Sequence, residues 1–238
     1  MSTTNVTPNH STSALDSLSG SLIVSCQARP GEPLAQPGIM RLMAQSSIEG
    51  GAGGVMAGGP ADIREIREVT ELPLIGLWKD GRRGTVYITP TINHVISVIE
   101  AGADAVAIDA TFRPRSDGGK VEELIDAVHS SGSLAIANIS TKDEGIAAID
   151  KGADAISTCL AGYTDYSSMK TGPDFSLIES LASSTSTPVI AEGRISTPAD
   201  FVRALSCGAH AVVVGRAITN PESITRSFIK TSQAANFD

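Results

Sequence analysis

Residues 102–106 read Gly-Ala-Asp-Ala-Val, and residues 152–156 read Gly-Ala-Asp-Ala-Ile, so one short pattern occurs twice. Related versions of the same pattern begin at Gly51 and Gly208, which makes four copies along the chain. Successive copies are about 50 residues apart, which is too long for one strand and one helix but fits two such units. The repeat therefore predicts a second, unmarked strand in each interval.

Each interval contains such a strand candidate. Short runs of branched apolar residues occupy 74–77, 134–137 and 188–191, and another run opens the ordered part of the chain at 22–25. Between the runs, apolar residues recur three and four positions apart, as in Val121, Leu124, Ile125 and Val128, which is typical of amphipathic helices. Eight strands alternating with helices are predicted.

The ends of the helices have sequence signals of their own. Thr89-Pro90, Thr197-Pro198 and Asn220-Pro221 each place a capping side chain before a proline at the first helical position. The glycine of the repeat lies where a left-handed helix end is expected. Both kinds of signal agree with the strand and helix alternation.

A (β/α)₈ TIM barrel of the phosphate-binding type is the predicted fold, with residues 21–238 as its single domain. A doubly wound sheet is the alternative, but the glycine-rich turn expected after its first strand is replaced by Ser25-Cys26-Gln27. Residues 1–20 are rich in Ser, Thr and Asn and are expected to be a disordered tail.

Composition excludes several classes of function. The chain has 18 basic and 26 acidic residues and a net charge of −8, which argues against a nucleic-acid partner. No apolar run approaches the roughly 20 residues of a membrane-spanning helix. The three cysteines form no Cys-x-x-Cys pair, and the histidines lack metal-ligand spacing, so a cytoplasmic protein without a metal is expected.

In a barrel, the chemistry is expected at the carboxyl ends of the strands. Lys79 follows an apolar strand and is a candidate general base, although a lysine turned to solvent remains an alternative. Glu192 is a candidate acid or base, with an ion pair to Arg194 as the structural alternative. Candidate sugar-binding residues at the same ends are Gln27, Asp109 and Asn138.

Strands 7 and 8 end at glycines, where this fold often binds a phosphate through backbone N–H groups. Gly193 and Gly215 allow the backbone to approach closely, and Arg216 adds a cation beside them. A tight turn is the alternative for the glycines. Cys26 and Cys159 have no partner base in the sequence and are expected to be small buried side chains rather than nucleophiles.

From about Leu22 to Phe228 the sequence resembles the N-acetylmannosamine-6-phosphate 2-epimerases of sialic acid catabolism. The resemblance rests on motifs that lie in order at predicted strand ends and loops: residues 23–28 (Ile-Val-Ser-Cys-Gln-Ala), 31–34 (Gly-Glu-Pro-Leu), 73–76 with Lys79, 88–91 (Ile-Thr-Pro-Thr), 107–111 (Ala-Ile-Asp-Ala-Thr) with Arg113-Pro114, 160–164 (Leu-Ala-Gly-Tyr-Thr), 190–194 (Ile-Ala-Glu-Gly-Arg), and 214–215 with 217–219.

The resemblance implies a sugar-phosphate substrate, inversion at C2 without a metal or redox cofactor, and a homodimer as one possible assembly. It also implies that Lys79 and Glu192 are catalytic: Lys79 removes and returns the C2 proton, while Glu192 helps to open the ring or orients the amine. Gln27, Asp109 and Asn138 would hold the sugar.

This chain differs from the family pattern at three positions. The resemblance leads us to expect an arginine near the end of strand 2, an aspartate after strand 5 and an arginine before the last helix, where the chain has Met56, Asn138 and Asn220. Arg216 is expected to restore phosphate affinity. Two alternatives remain open: an epimerase or isomerase of another sugar phosphate, and a sugar-phosphate sensor with weakened catalysis.

Overall fold

The structure, a computed structural model, describes residues 10–81 and 84–234. Eight parallel strands close into a barrel in the order β1 to β8, with β1 pairing both β2 and β8. The predicted (β/α)₈ barrel is therefore confirmed. The strands are β1 Leu22–Cys26, β2 Gly54–Gly58, β3 Leu74–Leu77, β4 Ala105–Asp109, β5 Leu134–Asn138, β6 Ala155–Ser157, β7 Val189–Glu192 and β8 Ala211–Val214.

Helices surround the barrel, and a 3₁₀ turn, Thr158–Leu160, follows β6. The helices are α1 His10–Ser17, α2 Ile39–Glu49, α3 Pro60–Arg67, α4 Ile92–Glu100, α5 Val121–Ser130, α6 Lys142–Asp150, α7 Phe175–Ala182, α8 Pro198–Ser206, α9 Arg216–Thr219 and α10 Pro221–Ala234. In the described part of the chain, no helix is long and apolar enough to cross a membrane.

The barrel strands contribute to two separate apolar clusters. The inner core fills the barrel and includes Ile23, Met56, Leu77 and Ile136, whereas the outer core lies between strands and helices and includes Val24 and Val55 among others. Successive side chains of a strand point to opposite faces, so the residue two positions after an inner-core residue also faces inward. This alternation decides which side chains reach the mouth of the barrel.

The repeated motif fixes the opposite end of the barrel. Its glycines adopt positive φ at the helix ends, for example +96° at Gly152 and +90° at Gly208, as predicted. The aspartates of two copies accept hydrogen bonds from neighbouring strands: Asp104 from the Leu74 N–H and Asp154 from the Ala135 N–H. In these two copies the repeat therefore ties the end of a helix to the strand that precedes that helix.

Two of the three predicted helix starts are confirmed. Thr197 accepts a hydrogen bond from the Asp200 N–H at the start of α8, and Asn220 accepts one from the Ser223 N–H at the start of α10. The Thr89-Pro90 start is wrong, because α4 begins at Ile92. Thr89 is instead buried with φ of +46°; its hydroxyl group accepts a hydrogen bond from the Trp78 N–H, just after β3, and donates one to the Ala107 carbonyl of β4.

The segment before β1 differs from the expected disordered tail. Residues 10–17 are helical, and Leu15 and Leu18 are buried against the inner core. The His210 ring bonds the Leu15 carbonyl oxygen at 2.8 Å, and the His210 carbonyl accepts the Gly20 N–H. This segment closes the amino-terminal end of the barrel. Residues 1–9, the rest of the expected tail, lie outside the described residues.

Candidate active site

The candidate residues converge at the carboxyl-terminal mouth of the barrel. Lys79, Asp109, Asn138 and Glu192 each lie two positions after an inner-core residue, so their side chains share the inward face of four strands. β3 and β7 are four strands apart in a ring of eight, so Lys79 and Glu192 approach the mouth from opposite sides. A substrate between them would contact both.

Lys79 stands just beyond β3 on a loop that folds back on itself. The loop forms an isolated antiparallel bridge between Lys79 and Ile88, which fixes the backbone of the lysine. The Lys79 ammonium donates a 2.7 Å hydrogen bond to Oε1 of Gln27, which in turn donates to the Ser25 hydroxyl. The residue as a whole is exposed, but Gln27 directs its ammonium group to the barrel mouth.

Glu192 is held by the residues that follow β6. The Ser157 hydroxyl donates to the Glu192 carboxylate at 3.0 Å, and the Cys159 thiol donates a further hydrogen bond to it. Thr158 bonds both the backbone N–H and the carbonyl of Glu192. The alternative ion pair with Arg194 does not form, because Arg194 donates to the carbonyl oxygens of Ala161 and Gly172.

The pKa values of the two opposed groups shift toward each other. Desolvation at the barrel mouth lowers the pKa of Lys79, the nearby Arg29 and Arg216 guanidinium groups lower it further, and the Glu192 charge opposes them. Desolvation raises the pKa of Glu192 above its usual range, against the hydrogen bonds from Ser157 and Cys159 and the charge of Lys79. Both shifts act toward the uncharged form of the group concerned.

Asp109 and Asn138 lie side by side in adjacent strands of the barrel. Asp109 is fully buried, and its carboxylate accepts hydrogen bonds from Thr111 and, at 2.7 Å, from Arg113. Asn138 is also fully buried, but neither polar atom of its side chain has a partner among the described residues. The contacts thus assign Asp109 to holding Arg113, whereas substrate binding by Asn138 stays a prediction.

The predicted phosphate-binding residues follow β7 and β8. Gly193 has φ of +106°, a conformation that favours glycine, and Gly215 precedes the short helix α9 close to Ser25. Arg216 is exposed, and its charge contributes to lowering the pKa of Lys79. The three residues lie beside the catalytic candidates; phosphate binding there stays a prediction.

Sequence reasoning missed Arg113, Ser157 and the role of Cys159. Cys26 is a buried outer-core side chain, as expected, and burial raises the pKa of its thiol to about 12. Cys159 also packs on the inner core, but it contacts Glu192 as well. The inward alternation of β6 could have identified Ser157, whereas the turn that brings Cys159 back to Glu192 has no local signal.

A cavity among the described residues lies outside the mouth. It has a volume of about 340 Å³ and runs along the outer side of the loop after β4, between α5 and α6. Phe112, Lys120 and Lys151 are among its lining residues, and Arg113 borders it as well. None of Lys79, Asn138 or Glu192 lines this cavity, so it is separate from the candidate site.

Comparison with known proteins gives the family. Residues 40–234 match the family described as putative N-acetylmannosamine-6-phosphate epimerase. A putative N-acetylmannosamine-6-phosphate 2-epimerase from Clostridium perfringens is 47% identical over 215 residues, covering 90% of this chain and 97% of its own. A relative of the same description from Caldanaerobacter subterraneus is 49% identical over 218 residues, covering 90% of this chain and 92% of its own.

A solved structure of the N-acetylmannosamine-6-phosphate 2-epimerase from Clostridium perfringens superposes with a TM-score of 0.89. It is 46% identical in sequence, and the match covers 91% of this chain and 95% of that one. The chain belongs to the N-acetylmannosamine-6-phosphate epimerase family. A deoxyribose phosphate aldolase from Aeropyrum pernix, at 18% identity and a TM-score of 0.62, shares the fold alone.

Within the epimerase family, this chain has uncharged side chains at the three positions that differ from the family pattern, Met56, Asn138 and Asn220. Met56 is 1% exposed and belongs to the inner core, where it packs with Leu77 and Ile136 among others. Asn220 caps α10. Near the mouth, the Arg29 and Arg216 guanidinium groups are close enough to lower the pKa of Lys79.

Proposed function

We propose that this chain interconverts N-acetylmannosamine 6-phosphate and N-acetylglucosamine 6-phosphate by removing and returning the proton at C2. The observation that carries the proposal is the pairing of Lys79 and Glu192 across the barrel mouth, with pKa values shifted toward each other. A base and an acid on opposite sides of one site are what this reaction needs. The family supports the choice of substrate.

The reaction begins with ring opening, because C2 becomes acidic only beside the free C1 aldehyde. Glu192, held by Ser157, gives a proton to the ring oxygen and takes one from the C1 hydroxyl as the ring opens. The neutral Lys79 amine then takes the C2 proton, which leaves an enolate and an ammonium group. Lys79 returns the proton to the other face of C2 after the open chain has turned, and ring closure reverses the first step.

The remaining residues hold the substrate. Gln27 fixes the direction of the Lys79 amine through its 2.7 Å hydrogen bond. The backbone N–H groups at Gly193 and Gly215, with the Arg216 guanidinium, bind the phosphate beside the lysine. Asn138 contacts the sugar, and Asp109 acts through Arg113, to which it is bonded. No step requires a metal or a redox cofactor.

Deuterium exchange at C2 tests this function directly. The purified chain is incubated with each N-acetylated sugar phosphate in deuterated water, and the C2 proton signal is followed by NMR. We expect loss of that signal and formation of the epimer, both abolished in Lys79→Met and retained in Lys151→Ala, a lysine far from the mouth on the α6 side. Exchange that persists in Lys79→Met would refute the assigned base.

The same experiment separates the two alternatives. Exchange of a sugar phosphate without an N-acyl group, and not of the acylated pair, would indicate a different sugar-phosphate epimerase. Binding without exchange, unchanged by Lys79→Ala, would indicate a sensor. The sensor remains an alternative because the Asn138 side chain has no hydrogen-bond partner among the described residues and Met56 is uncharged.

A homodimer is part of the proposal. α10 makes its main contacts with the four-residue α9, and its Phe228 and Ile229 side chains are 73% and 54% exposed. Burial of such side chains against a second copy would stabilise the assembly. The acidic chain has no nucleic-acid partner, and its three cysteines are free, in keeping with a cytoplasmic location.

A further inference from the structure

Thr89 has a backbone conformation that its side chain disfavours. It is fully buried with φ of +46°, and Arg194 is the other non-glycine residue with positive φ in the described part of the chain. A β-branched residue is rare in this region, and Pro90, which follows, restricts the backbone of Thr89 further. Strain of this kind persists only where surrounding contacts enforce it, and it concentrates at functional sites. Thr89 is therefore a candidate for a role in the reaction.

Three hydrogen bonds fix Thr89 in this conformation. Its hydroxyl group accepts the Trp78 N–H at 3.1 Å and donates to the Ala107 carbonyl oxygen of β4 at 2.7 Å. Its own N–H donates to the Trp78 carbonyl oxygen at 2.7 Å. Thr89 therefore holds both backbone polar groups of the residue that precedes Lys79, and it ties them to β4.

Ile88 and Thr89 lie between the ends of two neighbouring strands. The pairing of β4 with β3 ends at Val106, although β4 itself continues to Asp109. Beyond that point, Ile88 pairs with Lys79 on one side, and its carbonyl oxygen accepts the Asp109 N–H at 3.0 Å on the other. The two residues thus take the place of direct strand pairing at the rim, and the separation of Lys79 from Asp109 depends on them.

Lys79 is held at both ends of its side chain. Gln27 accepts a 2.7 Å hydrogen bond from the ammonium group, which fixes the tip. The backbone of Lys79 is fixed by its pairing with Ile88 and, through Trp78, by Thr89. A general base must lie within hydrogen-bond reach of the proton that it removes, and a misplacement of about 1 Å can cost about 100-fold in rate. The Thr89 contacts therefore bear on the rate of proton removal.

We propose that Thr89 is a positioning residue for the reaction, because its hydroxyl group sets where the end of β3 places the Lys79 amine. This inference rests on the proposed function, in which Lys79 removes the C2 proton. Thr89 itself is 0% exposed and does not touch the sugar. Loss of its hydroxyl group should therefore lower kcat and leave KM nearly unchanged.

Rates of C2 exchange test the role of the hydroxyl group. Exchange of N-acetylmannosamine 6-phosphate in deuterated water is followed by NMR over a range of substrate concentrations, which gives kcat and KM for each variant. Thr89→Val keeps the shape of the side chain without the hydroxyl group; it should lower kcat at least about tenfold and change KM by less than about twofold. Thr89→Ser keeps the hydroxyl group and should retain kcat within about twofold. Thr89→Gly adopts the positive φ without strain, so it should fold and still lose kcat.

Thr70→Val is the matched control. Thr70 is also buried, and its hydroxyl group accepts the Leu72 N–H at 3.0 Å before the start of β3, at the opposite end of the barrel. This variant and Thr89→Val should both melt a few degrees lower than the wild type, because each loses hydrogen bonds of a buried hydroxyl group. Only Thr89→Val should lose kcat.

A kcat within about twofold of the wild type in Thr89→Val, or in Thr89→Gly if Thr89→Val fails to fold, overturns the inference while the epimerase function stands. An equal loss of kcat in Thr70→Val or in Thr89→Ser overturns it as well. Absence of C2 exchange by the wild type overturns the proposed function and this inference together.

Discussion

Glu144 joins two loops at the barrel mouth, and its removal should cost the fold much of its stability. It is fully buried in the first turn of α6, and its carboxylate accepts hydrogen bonds from the backbone N–H groups of Phe112, Ser140 and Thr141 and from the Ser140 hydroxyl. In Glu144→Ala the donors of Phe112 and Thr141 can regain water, but the two of Ser140 stay buried. At 1–3 kcal/mol for each unpaired buried donor, the expected loss is about 3 kcal/mol.

Urea unfolding followed by circular dichroism measures this loss, with the slope of the transition compared between variants. Asp143→Ala is the matched control, because Asp143 is exposed on the same helical turn; it should change the free energy of unfolding by less than about 0.5 kcal/mol. Glu144→Gln should also be destabilised, since its amide nitrogen cannot accept from these donors. A loss below about 1 kcal/mol in Glu144→Ala would refute the reasoning.

Three other predictions concern the amino-terminal end of the barrel, the repeated glycines and the candidate base Lys79. Leu18→Ala should cost about 2–4 kcal/mol in urea unfolding, with KM unchanged because the mouth is distant. Gly208→Ala should lower the free energy of unfolding by about 2–4 kcal/mol, because the added Cβ would lie 2.8 Å from the Ala182 side chain of α7. Gly51→Ala, with a similar positive φ but open space around the added Cβ, should lower it by about 1 kcal/mol. In Arg216→Gln the loss of a positive charge raises the pKa of Lys79, so the rising limb of the pH profile of kcat/KM should move to higher pH; a limb that stays or falls contradicts the electrostatic assignment.

The barrel could be predicted because its signals are local and repeated. The glycine that ends a helix with positive φ recurs with the period of the fold, and in two copies an aspartate that bonds the preceding strand follows it, as at Gly152 and Asp154. The alternation within each strand then places Lys79, Asn138 and Glu192 at one rim. Short-range patterns were enough for these features.

The features that were missed depend on contacts between distant segments. Thr89-Pro90 has the local signal of a helix start. The loop instead folds back to pair with Lys79, and the Thr89 hydroxyl bonds the backbone of Trp78 and Ala107. Leu15 and Leu18 are isolated leucines in a polar stretch. They form no helical repeat of apolar residues, so the sequence does not predict that they pack under the barrel. No local pattern in the sequence predicts that Arg113 folds back to bond the Asp109 carboxylate.

The helix below the barrel has a practical consequence. Since Leu15 and Leu18 seal the end opposite to Lys79, a fluorophore, an affinity tag or a solid support joined ahead of residue 10 would leave the entrance for sugars unobstructed. Tethering there should preserve turnover, whereas trimming the chain past Leu18 should make the enzyme melt earlier without altering its choice of sugar.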